Sequence, residues 1–271
     1  MLEIKGLTCG YSDKPVLKDI SFEVEKGDFI GIIGPNGSGK TTLLRAMTKI
    51  IRPFSGFVSL NGKRISDMGF KQAACHIAMV CQETNPYFDI SVEDFVGLGR
   101  IPHQSRFRFI ETKQDREIIN QSLETAGMFD FRKRLLRNLS GGERQMAVIA
   151  KALAQQPKVL LLDEPTVYLD ISHQGYILDL VRRLNETNDV TVVIVLHELN
   201  LASEYCRRLV LLNNGKIEKI GTPKQVLDYQ IIERVYKTTV VVRDNPVSHK
   251  PYVFLVPEAE RQKNRTQGGS L

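Results

Sequence analysis

The feature that most constrains this chain is the stretch Gly34-Pro35-Asn36-Gly37-Ser38-Gly39-Lys40-Thr41-Thr42, which fits GxxxxGK[ST]. A short apolar run, Phe29 to Ile33, leads into it. Apolar residues at helical spacing (Leu43, Leu44, Met47, Ile50, Ile51) follow it. The expected local structure is strand, loop, helix, with the helix over Lys40 to Ile51. Gly34, Gly37 and Gly39 let backbone N–H groups turn inward around an anion with no Cβ in the way. The helix opening at Lys40 adds its positive end. Lys40 is the residue to reach the β- and γ-phosphates of a nucleotide, and the Thr41 hydroxyl the one to ligate Mg2+.

The rest of the pattern places this loop in an α/β fold. Met1 to Gly10 and residues 16–26 alternate apolar and polar, as half-buried strands do. Val159 to Leu162 and Val190 to Leu196 are continuously apolar, which suits parallel strands buried on both faces. Helical stretches separate these runs, so a parallel sheet is expected. Asn61-Gly62 and Asn214-Gly215 read as hairpin turns. From about residue 88 to residue 155 strand signals give way to helical ones, which predicts a helical lobe inserted into the sheet domain. The expected division is 1–87 with 156–220 as the core, 88–155 as the helical lobe, and 221–271 as a short C-terminal extension. Its polar end, Arg261 to Leu271, is expected to be disordered.

Charge and cysteine usage exclude several classes. The net charge of +6 over 271 residues invites a nucleic-acid reading. Residues 1–99 and 138–242 are each balanced, however, and residues 100–137 carry nine Lys and Arg against five Asp and Glu. A uniformly basic nucleic-acid wrapper is therefore disfavoured. No apolar run reaches the length of a membrane span, and no signal-peptide pattern opens the chain. Cys9, Cys75, Cys81 and Cys206 lack CxxC spacing, which argues against a disulfide framework. Cys75, His76 and Cys81 have the elements of a metal site, against which stands a short buried strand over His76 to Cys81.

The run Val159 to Leu162 ends in Asp163-Glu164. Carboxylates ending a buried strand point to metal or catalytic work, because they are costly there otherwise. Asp163 is the candidate to hold Mg2+ opposite Thr41. Glu164 is the candidate to polarise an attacking water.

With Leu139-Ser140-Gly141-Gly142-Glu143-Arg144-Gln145 standing before that strand, the chain resembles the ABC-type ATPases over nearly its whole length. Ser140 and the Gly141 and Gly142 amides open a helix over Glu143 to Ala154, a second helix N-terminus for a phosphate. The resemblance implies a P-loop NTPase with a RecA-like core, an antiparallel β subdomain and an inserted helical subdomain. It implies a homodimer in which each ATP lies between one phosphate loop and the partner's signature. Tyr11 resembles the aromatic that stacks on adenine, and Gln82 the glutamine that ligates Mg2+ and senses the membrane partner. Leu169-Asp170 resembles the loop bridging the subunits and contacting ATP. His197 resembles the switch histidine that contacts the γ-phosphate and holds Glu164. Val167-Tyr168 departs from the small residues common before Leu169.

Three stretches resemble the iron-chelate, heme and vitamin B12 importer branch: Val96 to His103, Leu161 to Gln174, and His197 to Asn200. That branch implies two transmembrane permease subunits, an extracytoplasmic binding protein, no nucleic acid, and a peripheral position on the cytoplasmic face of the membrane. Gln82 and the segment Glu83 to Gly97 are then expected to line the groove for a permease helix. Other cargo (a metal ion or an oxyanion), efflux, and a soluble non-transport ATPase remain as alternatives. For the basic stretch, with Arg106, Arg108, Arg132, Lys133, Arg134 and Arg137, the membrane leaflet, the permease and plain solvent stay open.

Overall fold

The computed structural model describes residues 1–81, 89–104 and 112–260. The N-terminal alternating runs form strands β1 (Leu2–Tyr11) and β2 (Lys14–Val24), and the apolar run before the phosphate loop forms β3 (Phe29–Ile33). Helix α1 (Lys40–Met47) follows, then strands β4 (Ser55–Leu60) and β5 (Lys63–Arg64), a short helix α2 (Phe70–Ala74), and β6 (Ile77–Val80). The next segment carries helices α3 (Val92–Gly97), α4 (Lys113–Thr125) and α5 (Gly141–Ala154). Strand pairing there is confined, among the described residues, to one bridge between Ser91 and Leu135. The chain then returns through β7 (Val159–Asp163), α6 (Ile171–Asn188), β8 (Thr191–Val195), α7 (Leu199–Tyr205), β9 (Arg208–Asn213) and β10 (Lys216–Gly221). It ends in α8 (Pro223–Val226), α9 (Tyr229–Tyr236), β11 (Val240–Asp244) and β12 (Pro251–Leu255).

A six-stranded sheet runs in the order β10-β9-β3-β8-β7-β6. Its strands are parallel except β10, which pairs antiparallel with β9 at one edge. Every residue of β3, β7 and β8 is buried. That is why their apolar runs are continuous: helices cover both faces. Alternation along each strand divides the core in two. Leu160, Leu162, Val192 and Ile194 face one side, packed with Met146 and Ala147 of α5. Val159, Leu161, Val193 and Val195 face the other, packed with Leu43, Leu44 and Met47 of α1. A second, antiparallel sheet, β2-β1-β4-β5, closes over that second side. Both Asn-Gly pairs make the expected hairpin turns, with left-handed φ at Asn61 (50°), Gly62 (79°), Asn214 (49°) and Gly215 (76°).

Helix α1 is shorter than its periodicity predicts. Lys49 turns left-handed (φ 65°), and the Ile50 and Ile51 amides both donate to Arg45 O, at 3.0 and 3.2 Å. This is a helix-ending turn, and it leaves Ile50 61% exposed. Helix α5 begins two residues before the expected Glu143, because the Ser140 cap lies ahead of the two glycines. The C-terminal elements α8, α9, β11 and β12 have no counterpart in the sequence reading. Residues 261–271 and their expected disorder lie outside the described residues. Among the described residues no helix is long and apolar enough to cross a membrane.

The basic lobe residues are largely engaged within the lobe itself. Lys133 pairs with Glu93 at 2.5 Å and Arg137 with Asp89 at 2.7 Å. The Arg132 and Arg134 guanidinium groups stack over Phe129 and Phe131, 4.2 and 4.7 Å from the ring centres. Arg100 is buried, bonded to Asp115 at 2.8 Å and to Ala154 O at 2.7 Å. Arg106 and Arg108 lie outside the described residues.

Candidate functional site

The phosphate loop joins β3 to α1 at the carboxyl end of the parallel sheet, where such folds bind ligands. Two of its glycines are required by geometry. Gly34 has φ 150°, and a Cβ there would meet Leu212 O at 2.2 Å. Gly39 has φ 101°, and its Cβ would meet Leu17 Cδ2 at 2.5 Å. Gly39 also caps α1 without any side-chain hydrogen bond, which leaves the first amides of that helix open to an anion. The buried Ser38 hydroxyl has no hydrogen-bond partner among the described residues, a donor suited to a phosphate oxygen. Lys40 is 5% exposed and donates to Gly34 O (3.0 Å) and Pro35 O (3.2 Å). Burial pushes its ammonium below the ordinary lysine range, and the Glu164 and Asp163 charges oppose that shift. Asn36 and Gly37 form the exposed tip of the loop, and Thr42 is buried in α1.

Strand β7 delivers both carboxylates to this end of the sheet. The Thr41 hydroxyl donates to Asp163 Oδ1 at 3.2 Å. Asp163 is 2% exposed, and burial holds its carboxyl above the usual range, with the Thr41 bond acting the other way. The next residue turns away: Glu164 has φ 52°, uncommon for a residue with a Cβ and a mark of strain held by its surroundings. That turn brings Glu164 Oε1 to 2.5 Å from His197 Nε2. The sheet register explains the meeting, since Asp163 lies beside Val195 and both chains run past the strand ends together. His197 is 38% exposed, so the pair stands at the mouth of the site.

The donor set fits a nucleotide with a divalent ion. Among the described residues no cluster of three or more His, Cys, Asp or Glu side chains can hold a metal. An ion here would take Thr41 and Asp163 together with phosphate oxygens and water. Gln82, expected as a further ligand and as a catalytic residue, lies outside the described residues. The four cysteines are free.

The signature residues lie apart from this cluster. Ser140 caps α5 in a reciprocal box: its Oγ accepts from the Glu143 amide at 3.3 Å, and its own amide donates to Glu143 Oε2 at 2.7 Å. Those bonds hold the Glu143 carboxyl below the usual range. Helices α5 and α1 pack on opposite faces of the sheet. No hydrogen bond among the described residues joins Ser140, Gly141 or Gly142 to the phosphate loop. Asp170 likewise turns toward its own helix. It accepts from the His173 amide and the His173 Nδ1, each at 2.9 Å, and from the Ser172 hydroxyl at 2.7 Å. These bonds, the His173 amide first, hold it far below the usual carboxylate range. Tyr11 ends β1 half exposed, and its hydroxyl accepts from Arg45 Nη1 at 2.8 Å.

Motif reading gave no individual role to two further residues. The His173 ring packs on Gly142, where a Cβ would come within 2.2 Å of His173 Cδ2. Gln174 donates to Leu169 O at 3.1 Å, tying down the loop before α6. The available signal for His173 was its position three residues after a helix-capping Asp.

The family model described as "ABC transporter" matches residues 17–167. An uncharacterized ABC transporter ATP-binding protein of Bacillus subtilis, YvrA, is 38% identical over 98% of this chain, which spans 60% of that protein. The ferric enterobactin transport ATP-binding protein FepC of Escherichia coli is 39% identical over 91% of this chain and 91% of its own length. Among solved structures, a metal-chelate-type ABC transporter in an inward-facing conformation shares the fold, with TM-score 0.83 and 27% identity over 95% of this chain and 98% of that one. Motifs, sheet order and relatives agree, and this chain belongs to the ABC transporter family as one of its ATP-hydrolysing subunits.

Proposed function

We propose that this chain powers import of an iron-siderophore, heme, cobalamin or similar metal chelate. In this reading two copies form the ATPase, two permease subunits span the membrane, and an extracytoplasmic binding protein delivers the cargo. The chain then sits on the cytoplasmic face of the membrane. The observation that carries the reaction is the convergence of Lys40, the Thr41–Asp163 bond and the Glu164–His197 pair at one sheet end. The kinship with FepC carries the choice of importer branch.

The loop amides and Lys40 bind the phosphates. Thr41 and Asp163, with Gln82, would hold Mg2+, which when bound would supply charge neutralisation at the phosphates. Glu164 orients and deprotonates the attacking water, and His197 fixes the carboxylate while reaching the γ-phosphate. The opposite placement of α1 and α5 across the sheet favours sharing of each ATP between copies. A second copy then supplies Ser140, Gly141, Gly142 and Asp170, and Tyr11 stacks on the adenine. Tyr168 and Ile171, 98% and 88% exposed on either side of Asp170, suit burial by that copy. Closure moves the helical lobes and with them the permease. In the lobe, a groove of about 660 Å³, lined by charged residues such as Glu93, Asp94, Arg132 and Lys133 around Leu98 and Ile101, is the candidate seat for a permease segment.

The direct test has two parts. Glu164→Gln is expected to cut ATP turnover about 10²–10⁴-fold while nucleotide binding persists, and an ATP-stabilised dimer should accumulate on size exclusion. The holo-transporter, reconstituted in liposomes, should accumulate a ferric siderophore only with wild-type subunit. Normal hydrolysis by Glu164→Gln would remove the mechanism, and co-purification without any polytopic subunit would remove the importer.

A further inference from the structure

The C-terminal hairpin grips the helix that follows His197. Helix α7 begins two residues after His197, and the β11–β12 hairpin is bonded along it. Asn200 Nδ2 donates to Val253 O at 3.2 Å, and the Val253 amide donates to Asn200 Oδ1 at 2.8 Å. The N–H and C=O of one strand residue point to the same side, so this carboxamide closes the outer edge of β12 as a third strand would. One turn on, the buried Ser203 hydroxyl donates to Pro251 O at 2.7 Å. Glu204 Oε1 then accepts from Asn245 (3.0 Å) and Ser248 (2.6 Å), and Lys250 donates to Glu204 O. Ahead of the hairpin, α9 ends at Tyr236, which packs against the core. Glu233 of α9 accepts from the Val240 amide at 2.9 Å and so ties the hairpin to α9.

We infer that the β11–β12 hairpin is a positioning clasp for the nucleotide site: it fixes helix α7 and with it His197. This rests on the reading of His197 as the γ-phosphate contact. The clasp acts on the attacking geometry and not on phosphate binding, so kcat and KM report it separately. A small displacement of a group that holds the attacking geometry lowers kcat.

The test uses the purified full chain and its own ATP hydrolysis. Asn200→Ala, which removes both bonds to Val253, should lower kcat about tenfold and leave KM within about twofold. Asn200→Asp keeps the acceptor for the Val253 amide and should recover part of kcat. If Asn200→Ala does not fold, Ser203→Ala, which loses only the bond to Pro251, takes its place. Unchanged kcat in both Asn200→Ala and Ser203→Ala overturns the clasp, as does a kcat loss that only tracks the unfolding temperature. His197→Ala separates the two levels. Full turnover by that variant removes the reading of His197, whereas loss of turnover there with Asn200→Ala intact removes the clasp alone.

Discussion

Gly142→Ala adds one methyl to the second residue of α5, and its effect depends on a residue in another helix. The new Cβ would stand 2.2 Å from His173 Cδ2 and 2.7 Å from Nε2. Carbon atoms pack at about 3.5–4.0 Å, so the ring must retreat by more than an ångström. It cannot do so and keep Nδ1 at 2.9 Å from Asp170. Overpacking of this kind costs about 1–3 kcal/mol. Against it, Ala in place of Gly within a helix gains up to about 1 kcal/mol. The net expectation is a loss of about 1–2 kcal/mol, or roughly 2–8 °C in Tm at the 2–4 °C per kcal/mol of chains this size. The assay is a double-mutant cycle by thermal unfolding without nucleotide: wild type, Gly142→Ala, His173→Ala and the pair. With the ring gone only the helix gain remains, so in the His173→Ala background the same methyl should be neutral or stabilising. An equal cost in both backgrounds would refute the contact as the reason this position is glycine.

Other predictions follow from single contacts. Lys40→Ala should weaken nucleotide binding by the isolated chain, read by fluorescent-ATP titration, because Lys40 is the cation buried within the loop; unchanged affinity would contradict its role. Ser140→Arg should leave that monomer affinity intact and abolish ATP-driven dimerisation on size exclusion, since α5 faces away from its own phosphate loop. Asp115→Asn strips a buried Arg100 of its counter-charge, at a cost of about 3–5 kcal/mol. The Arg100 bond holds the Asp115 carboxyl below its ordinary value against the opposing effect of burial. That stabilisation is complete above the unfolded carboxylate pKa of about 3.9 and is lost as pH falls through the folded one. The Tm gap between wild type and Asp115→Asn should thus be widest near neutrality and close below about pH 4; a gap constant with pH would contradict the assignment.

What the sequence determined by itself was local. Left-handed glycines, a lysine and a threonine between a strand run and a helix run specify the phosphate loop within nine residues, from Gly34 to Thr42. The all-apolar runs of β3, β7 and β8 announce strands covered on both faces, and Asn-Gly pairs announce their own turns. Periodicity failed where a distant contact overrides it. Helix α1 stops early while Lys49 donates to the Ser66 and Met68 carbonyls, which lie in a turn no helical pattern encodes. Strands β11 and β12 meet an edge partner in Asn200 of α7, a distant contact that no local pattern announces. The sequence named Asp163, Glu164 and His197 as candidates. The parallel register of β7 and β8 decided that Glu164 meets His197 while Asp163 meets Thr41. A motif lists donors along one chain, whereas pairing depends on which strand ends are neighbours, and only the packed sheet sets that.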